Sequence, residues 1–187
     1  GCKRFHLVCR NASKNKILID TLINDYGAIV SEEINNLDDN SSLENVFEPK
    51  INDYDLYLIT SGLLGDSDLA IDDVCETLRI SNSNYVGLLP WLVKIVNKER
   101  MNTSSRLWVF SSVAGDRGRP SNYNYGAAKA ALSIFSEGLL LRCQNKPFCV
   151  RIIKAGFIST KMSKGKAPRI LSISPKKLSS ILLKKPN

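Results

Sequence analysis

Five short apolar runs, separated by segments of helical period, constrain this chain more than any other feature. Phe5 to Cys9, Ala28 to Ile34, Asp55 to Thr60, Arg106 to Phe110 and Phe148 to Lys154 are rich in β-branched and aromatic residues, as strands are. Most are apolar on both faces, which suits strands buried inside a parallel sheet. Ser13 is expected to cap a helix over Lys14 to Asp25, with Ile17, Leu18, Thr21 and Leu22 on one face and Gly27 at its end. A longer helix is expected from Ile71 to Lys98, with Leu78, Tyr85, Leu88, Leu89, Leu92, Val93 and Val96 as a broad apolar stripe. Pro90 should kink or break it. A third helix covers Asn122 to Arg142, where Ala127, Ala128, Ala131, Leu132, Phe135 and Leu139 share a face, and a short one starts with Ser174 as cap and Pro175 at its first position. This alternation predicts a doubly wound parallel sheet in a three-layer α/β/α arrangement, with ligands beyond the carboxyl ends of the strands.

The 187 residues suffice for one domain with a full core. With 43% hydrophobic and 24% charged residues, the composition excludes a disordered, collagen-like or coiled-coil chain. No stretch approaches about 18 uncharged apolar residues and no signal-peptide core is present, so the expectation is a cytoplasmic protein without an integral membrane segment. The five cysteines, Cys2, Cys9, Cys75, Cys143 and Cys149, show no CxxC spacing and read as reduced thiols rather than a metal or disulfide framework. His6 lies inside an apolar strand and is expected to be packed, with no ligand role.

The net charge of +8 is unevenly placed: residues 16 to 80 hold 15 acidic and 3 basic side chains, residues 81 to 187 hold 3 acidic and 19 basic. The basic residues carry no interleaved aromatics, so a half that must hold a phosphate-bearing ligand is a better reading than nucleic-acid binding. No metal site is expected.

Chemistry concentrates between Leu107 and Arg142, which reads LWVFSSVAGDRGRPSNYNYGAAKAALSIFSEGLLLR. Ser112 falls just after a strand, and Tyr125 and Lys129, four apart on a helix, project from the same face. A tyrosine hydroxyl with a reference pKa of about 10 is a poor acid or base at neutral pH, and an adjacent ammonium is expected to bring it toward the working range. Ser112 can then hydrogen-bond a carbonyl oxygen while Tyr125 supplies its proton.

The SSxAG turn at residues 111 to 115, Tyr125 following Ser112 by 13 residues, the YxxxK pair, and a strand with Gly156 and Thr160 beyond the helix together resemble the short-chain dehydrogenase/reductase family. The resemblance extends over nearly the whole chain. It implies a Rossmann fold, a nicotinamide cofactor, and hydride exchange with a carbonyl or alcohol, catalysed by Asn84, Ser112, Tyr125 and Lys129. It further implies cofactor contacts from Tyr125 and Lys129, from Ser61 and Gly62 after the third run, from Asn36 and Leu37 beside the adenine, and from Gly156, Ile158 and Thr160 at the nicotinamide end. Only the small residue and glycine of the family's NNAG turn are kept in Ile59-Thr60-Ser61-Gly62, and Ala155-Gly156 replaces its Pro-Gly. The first strand ends Val8-Cys9-Arg10-Asn11, with no acid for ribose hydroxyls and with Arg10 available for a 2′-phosphate, so NADP(H) is expected over NAD(H). The segments SSVAGDRGRPSNYNYGAAKA and AGFISTKM are similar to the branch holding decaprenylphosphoryl-2-keto-ribose reductases, which implies a sugar- or lipid-linked ketone. Arg117, Arg119, Lys161 and Lys164 then stand as candidate contacts for a substrate phosphate.

The family's glycine-rich TGxxxGxG turn, which holds the pyrophosphate, has no counterpart in the sequence. The expectation is therefore a single, incomplete domain over residues 1 to 187, lacking the first strand and glycine turn, and short at its C-terminus. A non-catalytic binding or scaffold protein that has lost its cofactor site is the competing class, and a sugar-nucleotide epimerase or dehydratase, which shares a Tyr-Lys pair, is the second enzymatic alternative. The apolar stripes of the two long helices are too broad for one sheet face, and in this family they form an interface, implying a homodimer or homotetramer.

Overall fold

The computed structural model describes residues 3–38, 54–97, 100–163 and 169–184. The five apolar runs form strands β1 (Arg4–Cys9), β2 (Ile29–Ile34), β3 (Leu56–Ile59), β4 (Arg106–Ser112) and β5 (Cys149–Ala155). They pair in parallel, β1 with β2 and β3 with β4 with β5. A two-residue pair follows, β6 (Phe157–Ile158) with β7 (Ser172–Ile173). Among the described residues no backbone ladder joins β1–β2 to β3–β4–β5.

Period-2 alternation in β4 divides the core. Leu107 and Val109, both fully buried, face the helices on one side together with Tyr57 and Val150, and meet Leu88, Leu92 and Leu132 there. Trp108 and Ile153 face the other side, against Leu182. Burying each such side chain contributes about 1.5–3 kcal/mol.

The helices follow from their local chemistry. Asn11, rather than Ser13, supplies the first cap: its side-chain oxygen accepts from the Ser13 amide at 3.0 Å, a single turn over Ala12–Lys14 follows, and α1 runs over Lys16–Asn24. An asparagine carbonyl reaches the amide two residues on, which places the start ahead of the serine. Gly27 ends α1 at φ +61°, its amide on the Ile23 carbonyl and the Ala28 amide on Leu22, both at 3.0 Å, a left-handed closure suited to glycine.

The expected helix from Ile71 to Lys98 is two helices, α2 (Val74–Asn84) and α3 (Leu89–Ile95), with Lys98 outside the described residues. Asp73 starts α2 by accepting from the Cys75 amide at 2.8 Å. Tyr85, at φ −146° and ψ −65°, ends it, and Pro90 sits in the first turn of α3, where it has no amide hydrogen to leave unpaired. Close approach of another loop accompanies the break: a Cβ on Gly87 would stand 2.4 Å from the Leu37 carbonyl oxygen.

Helix α4 (Tyr123–Arg142) forms where expected, and α5 (Pro175–Lys184) begins with the Ser174 hydroxyl accepting from the Lys177 amide at 3.2 Å. Arg151 holds α5 to the sheet by donating to the Leu182 carbonyl at 3.0 Å while its guanidinium lies 5.1 Å from the Trp108 ring centre.

His6 is packed as expected, with Nδ1 2.8 Å from the Ser31 hydroxyl, Nε2 3.3 Å from Glu33, and its ring stacked on Tyr54. Cys9, Cys75, Cys143 and Cys149 are free thiols, and Cys2 lies outside the described residues. Burial raises the pKa of Cys9 and of Cys143, which disfavours their thiolate forms.

Candidate active site

The serine turn and α4 lie backbone against backbone because two glycines permit it. After β4, the chain makes one turn over Val113–Asp116, started by the Ser112 hydroxyl accepting from the Ala114 amide at 3.1 Å. A Cβ on Gly115 would stand 2.7 Å from the Ala130 amide nitrogen, and one on Gly126 would stand 2.8 Å from the Ala114 carbonyl oxygen. Behind this contact the buried Ser111 hydroxyl donates to the Lys129 carbonyl at 3.0 Å and shares a 2.6 Å hydrogen bond with Ser133, which fixes the register of α4 on β4. Tyr125 is thereby brought to Ser112, and Lys129 is carried under the strand ends.

Lys129 is only 2% exposed, and its Nζ donates to the carbonyls of Ser61 and Phe110, each at 3.1 Å. Burial lowers its pKa to about 8. Burial also raises the Tyr125 phenol above its usual value, and a hydrogen bond with Ser112 opposes that rise. The expectation that Lys129 lowers the Tyr125 pKa is thus corrected: the ammonium lies 5.9 Å from the ring centre with two donors committed to carbonyls, so desolvation dominates.

Asn84 does not face solvent. It is fully buried in the last turn of α2, where its Nδ2 donates to Leu63 O at 2.7 Å and Ile80 O at 2.8 Å while its Oδ1 accepts from Leu63 N at 3.1 Å. It therefore braces the turn after β3. A Cβ on Gly62 in that turn would lie 3.4 Å from Met162 Cε, 3.5 Å from Asn84 Oδ1 and 3.8 Å from Lys129 Nζ, so these groups surround one spot. Met162 was not legible as a site residue; only its place two residues beyond Thr160 hinted at it. Gly156, Ile158 and Thr160 lie on the segment leading to it, where Ser163 donates to the Ile158 carbonyl and accepts from the Thr160 amide at 3.1 Å.

Sequence reasoning also missed what happens at the end of β1. Arg10 is 54% exposed, but its Nη1 donates to the Asp38 carboxylate at 3.3 Å. Asp38 in turn accepts from the Ser83 hydroxyl, and its carbonyl accepts from Asn82 Nδ2 at 3.5 Å. Asn36 accepts from the Asp38 amide at 3.4 Å, and Leu37 packs against the main core. Asn82, Ser83 and Asn84, consecutive and buried, thus hold two loops with one helical turn. Arg117 and Lys161 are exposed, Arg119 is half-buried, and Lys164 lies outside the described residues.

These groups suit a nicotinamide dinucleotide at both ends. Lys129, with a third N–H beyond its two carbonyl bonds, and Gly62, with bare backbone beside it, would hold a ribose, Tyr125 would add a phenol, and Arg10 would offer a guanidinium at the far end.

Comparison with known proteins gives a consistent result. Residues 60–170 match the family model for short chain dehydrogenases. An uncharacterized oxidoreductase of Mycobacterium tuberculosis is 33% identical over 123 residues, covering 66% of this chain and 49% of that protein. The 3-oxoacyl-[acyl-carrier-protein] reductase of Escherichia coli is 28% identical over 152 residues, covering 76% of this chain and 60% of that protein. The chain therefore spans about half the length of the first relative. Among solved structures, a 7β-hydroxysteroid dehydrogenase superposes with a TM-score of 0.82 at 19% identity, covering 97% of this chain and 73% of that one. A short-chain dehydrogenase from Sphingobium yanoikuyae in complex with NADPH gives 0.81 at 16%, covering 96% and 73%.

Proposed function

The chain belongs to the short-chain dehydrogenase family, and from that premise we propose that its protein is a cytoplasmic, NADP(H)-dependent reductase of carbonyl compounds. The observation that carries this reading is the convergence of Ser112, Tyr125 and Lys129 beside Gly62. Ser112 hydrogen-bonds the substrate carbonyl oxygen. Tyr125, kept protonated by burial, donates its hydroxyl proton to that oxygen as negative charge develops on it. The nicotinamide, when bound, supplies the hydride. Lys129 holds a ribose hydroxyl with its third N–H, while Asn84 keeps the Gly62–Leu63 turn in place.

Arg10 is assigned to the 2′-phosphate, which favours NADP(H) over NAD(H). Asn36 and Leu37 flank the adenine, Ser61 and Gly62 lie under the ribose, and Gly156, Ile158 and Thr160 contact the nicotinamide end. The substrate is a sugar- or lipid-linked ketone whose phosphate meets Arg117, Arg119 and Lys161. Self-association into a homodimer or homotetramer uses the outer faces of α3 and α4, where Val93, Ile134 and Leu141 are exposed. Among the described residues no helix is long and apolar enough to cross a membrane.

Tyr125→Phe in the full-length protein is expected to lower NADPH-linked ketone reduction by about 10²–10⁴-fold, the range for a lost general acid. Dissociation constants for the cofactor should stay within about threefold of wild type, because the ring and Lys129 remain. Turnover at the wild-type rate in this variant would overturn the assignment.

A further inference from the structure

The loop after β2 places an acid where the sequence of β1 offered none. Asp38 Oδ2 accepts from Arg10 Nη1 at 3.3 Å, while its other carboxylate oxygen is held by the hydroxyl of buried Ser83 on α2. The two partners differ in freedom: the Arg10 side chain is 54% exposed and the Asp38 side chain 17%. Asp38 is fixed by the helix, and the asparagine before Ser83 holds its backbone as well. Arg79, the neighbouring cation on α2, is hydrogen-bonded to Glu76 at 2.6 and 2.8 Å and also feels the Asp38 charge, more weakly than that of Glu76.

We propose that Asp38 is a specificity-determining residue that weakens the preference for a 2′-phosphorylated dinucleotide. The inference rests on the proposed cofactor site and deepens it. A 2′-phosphate that reaches Arg10 must share the guanidinium with an anchored carboxylate, and two anions on one exposed arginine repel. A dinucleotide with a free 2′-hydroxyl carries no charge there and escapes that repulsion; its hydroxyl can donate to the same carboxylate. Ser83 contributes by keeping the carboxylate from swinging away when the phosphate arrives.

The test compares wild-type full-length protein with Asp38→Asn and Ser83→Ala. Binding of NADPH and NADH is followed by fluorescence, and binding of adenosine 2′,5′-bisphosphate and ADP by calorimetry, so that the result does not depend on turnover. Asp38→Asn is expected to raise the preference for the 2′-phosphorylated member of each pair by about five- to tenfold, mainly through tighter binding of that member. Ser83→Ala, which frees the carboxylate but keeps both charges, should move it the same way by about twofold. Wild-type protein that binds neither dinucleotide would overturn the cofactor site and this inference with it. Binding with an unchanged ratio in both variants, or a ratio shifted toward the unphosphorylated member, would overturn the inference alone.

Discussion

The β3–β4–β5 half and the β1–β2 half are made of the same kind of strand but hold themselves differently. In the first, Val109, Leu107 and Leu132 are fully enclosed between sheet and helices, and the serine turn is pressed against α4 through two glycines. In the second, α1 has no buried residue, and Ile17, Leu18 and Ile29 are 82%, 48% and 69% exposed. Polar links dominate there instead: His6 to Ser31 and Glu33, Asn15 to Glu32, Arg10 to Asp38. The proposed catalytic geometry thus rests on close packing, and the proposed far end of the cofactor site on side-chain hydrogen bonds, which tolerate small displacements better than a packed core does.

Substitutions can break this contrast. Leu132→Ala should cost about 2–5 kcal/mol, since the emptied space lies under β4 and beside the α4 face that carries Lys129. Urea unfolding gives the value, and a cost below about 1 kcal/mol would mean that the catalytic half is loosely packed after all. Lys129 offers the next largest effect. Its pKa of about 8 lies below that of an unfolded lysine, so below pH 8 both states are charged and the burial penalty is fully present. As pH rises from about 8 toward 10.4 the folded state releases its proton first, and stability rises by up to about 3 kcal/mol. Tyr125, whose pKa is raised, acts the opposite way, but only above about pH 10. Unfolding between pH 7 and 9.5 should show the Lys129 gain in wild type and its absence in Lys129→Met. The smallest effect belongs to the other half: Leu18→Ala should change stability by less than about 0.5 kcal/mol. A cost of about 2 kcal/mol or more in the full-length protein would show that further structure covers α1 and would narrow the contrast.

The parts of this arrangement that were legible are those governed by short-range pattern. Strands β3, β4 and β5 were legible as runs largely continuous in apolar residues, as buried parallel strands are. Strands β1 and β2, which hold no buried residue, were legible from their β-branched and aromatic residues, and α4 began and ended within a residue of expectation. Ser112, Tyr125 and Lys129 were readable because strand end, turn and helix follow one another directly. What was not legible depends on partners distant in sequence. The break that Pro90 signals falls five residues earlier, at Tyr85, and it accompanies the Leu37 carbonyl lying against Gly87, 50 residues away, which no local pattern marks. Asp38 reaches Arg10 across 28 residues, so a rule that inspects only the end of β1 misses it. Tyr125 was expected to be acidified by Lys129 because spacing shows that two groups share a face; it does not show where the ammonium points or how deeply the phenol is buried.

The last turn of α2 leaves a mark on how such a protein can change over time. Asn82 and Ser83 hold the loop after β2, and Asn84 holds the turn after β3. An α-helix advances about 100° per residue, so one residue inserted or deleted upstream in α2 would swing all three side chains off both loops together. On the proposed reading, cofactor choice is therefore open to revision letter by letter, at positions such as Arg10 and Asp38, while the length of α2, which holds the loop after β2 and the turn after β3, is locked.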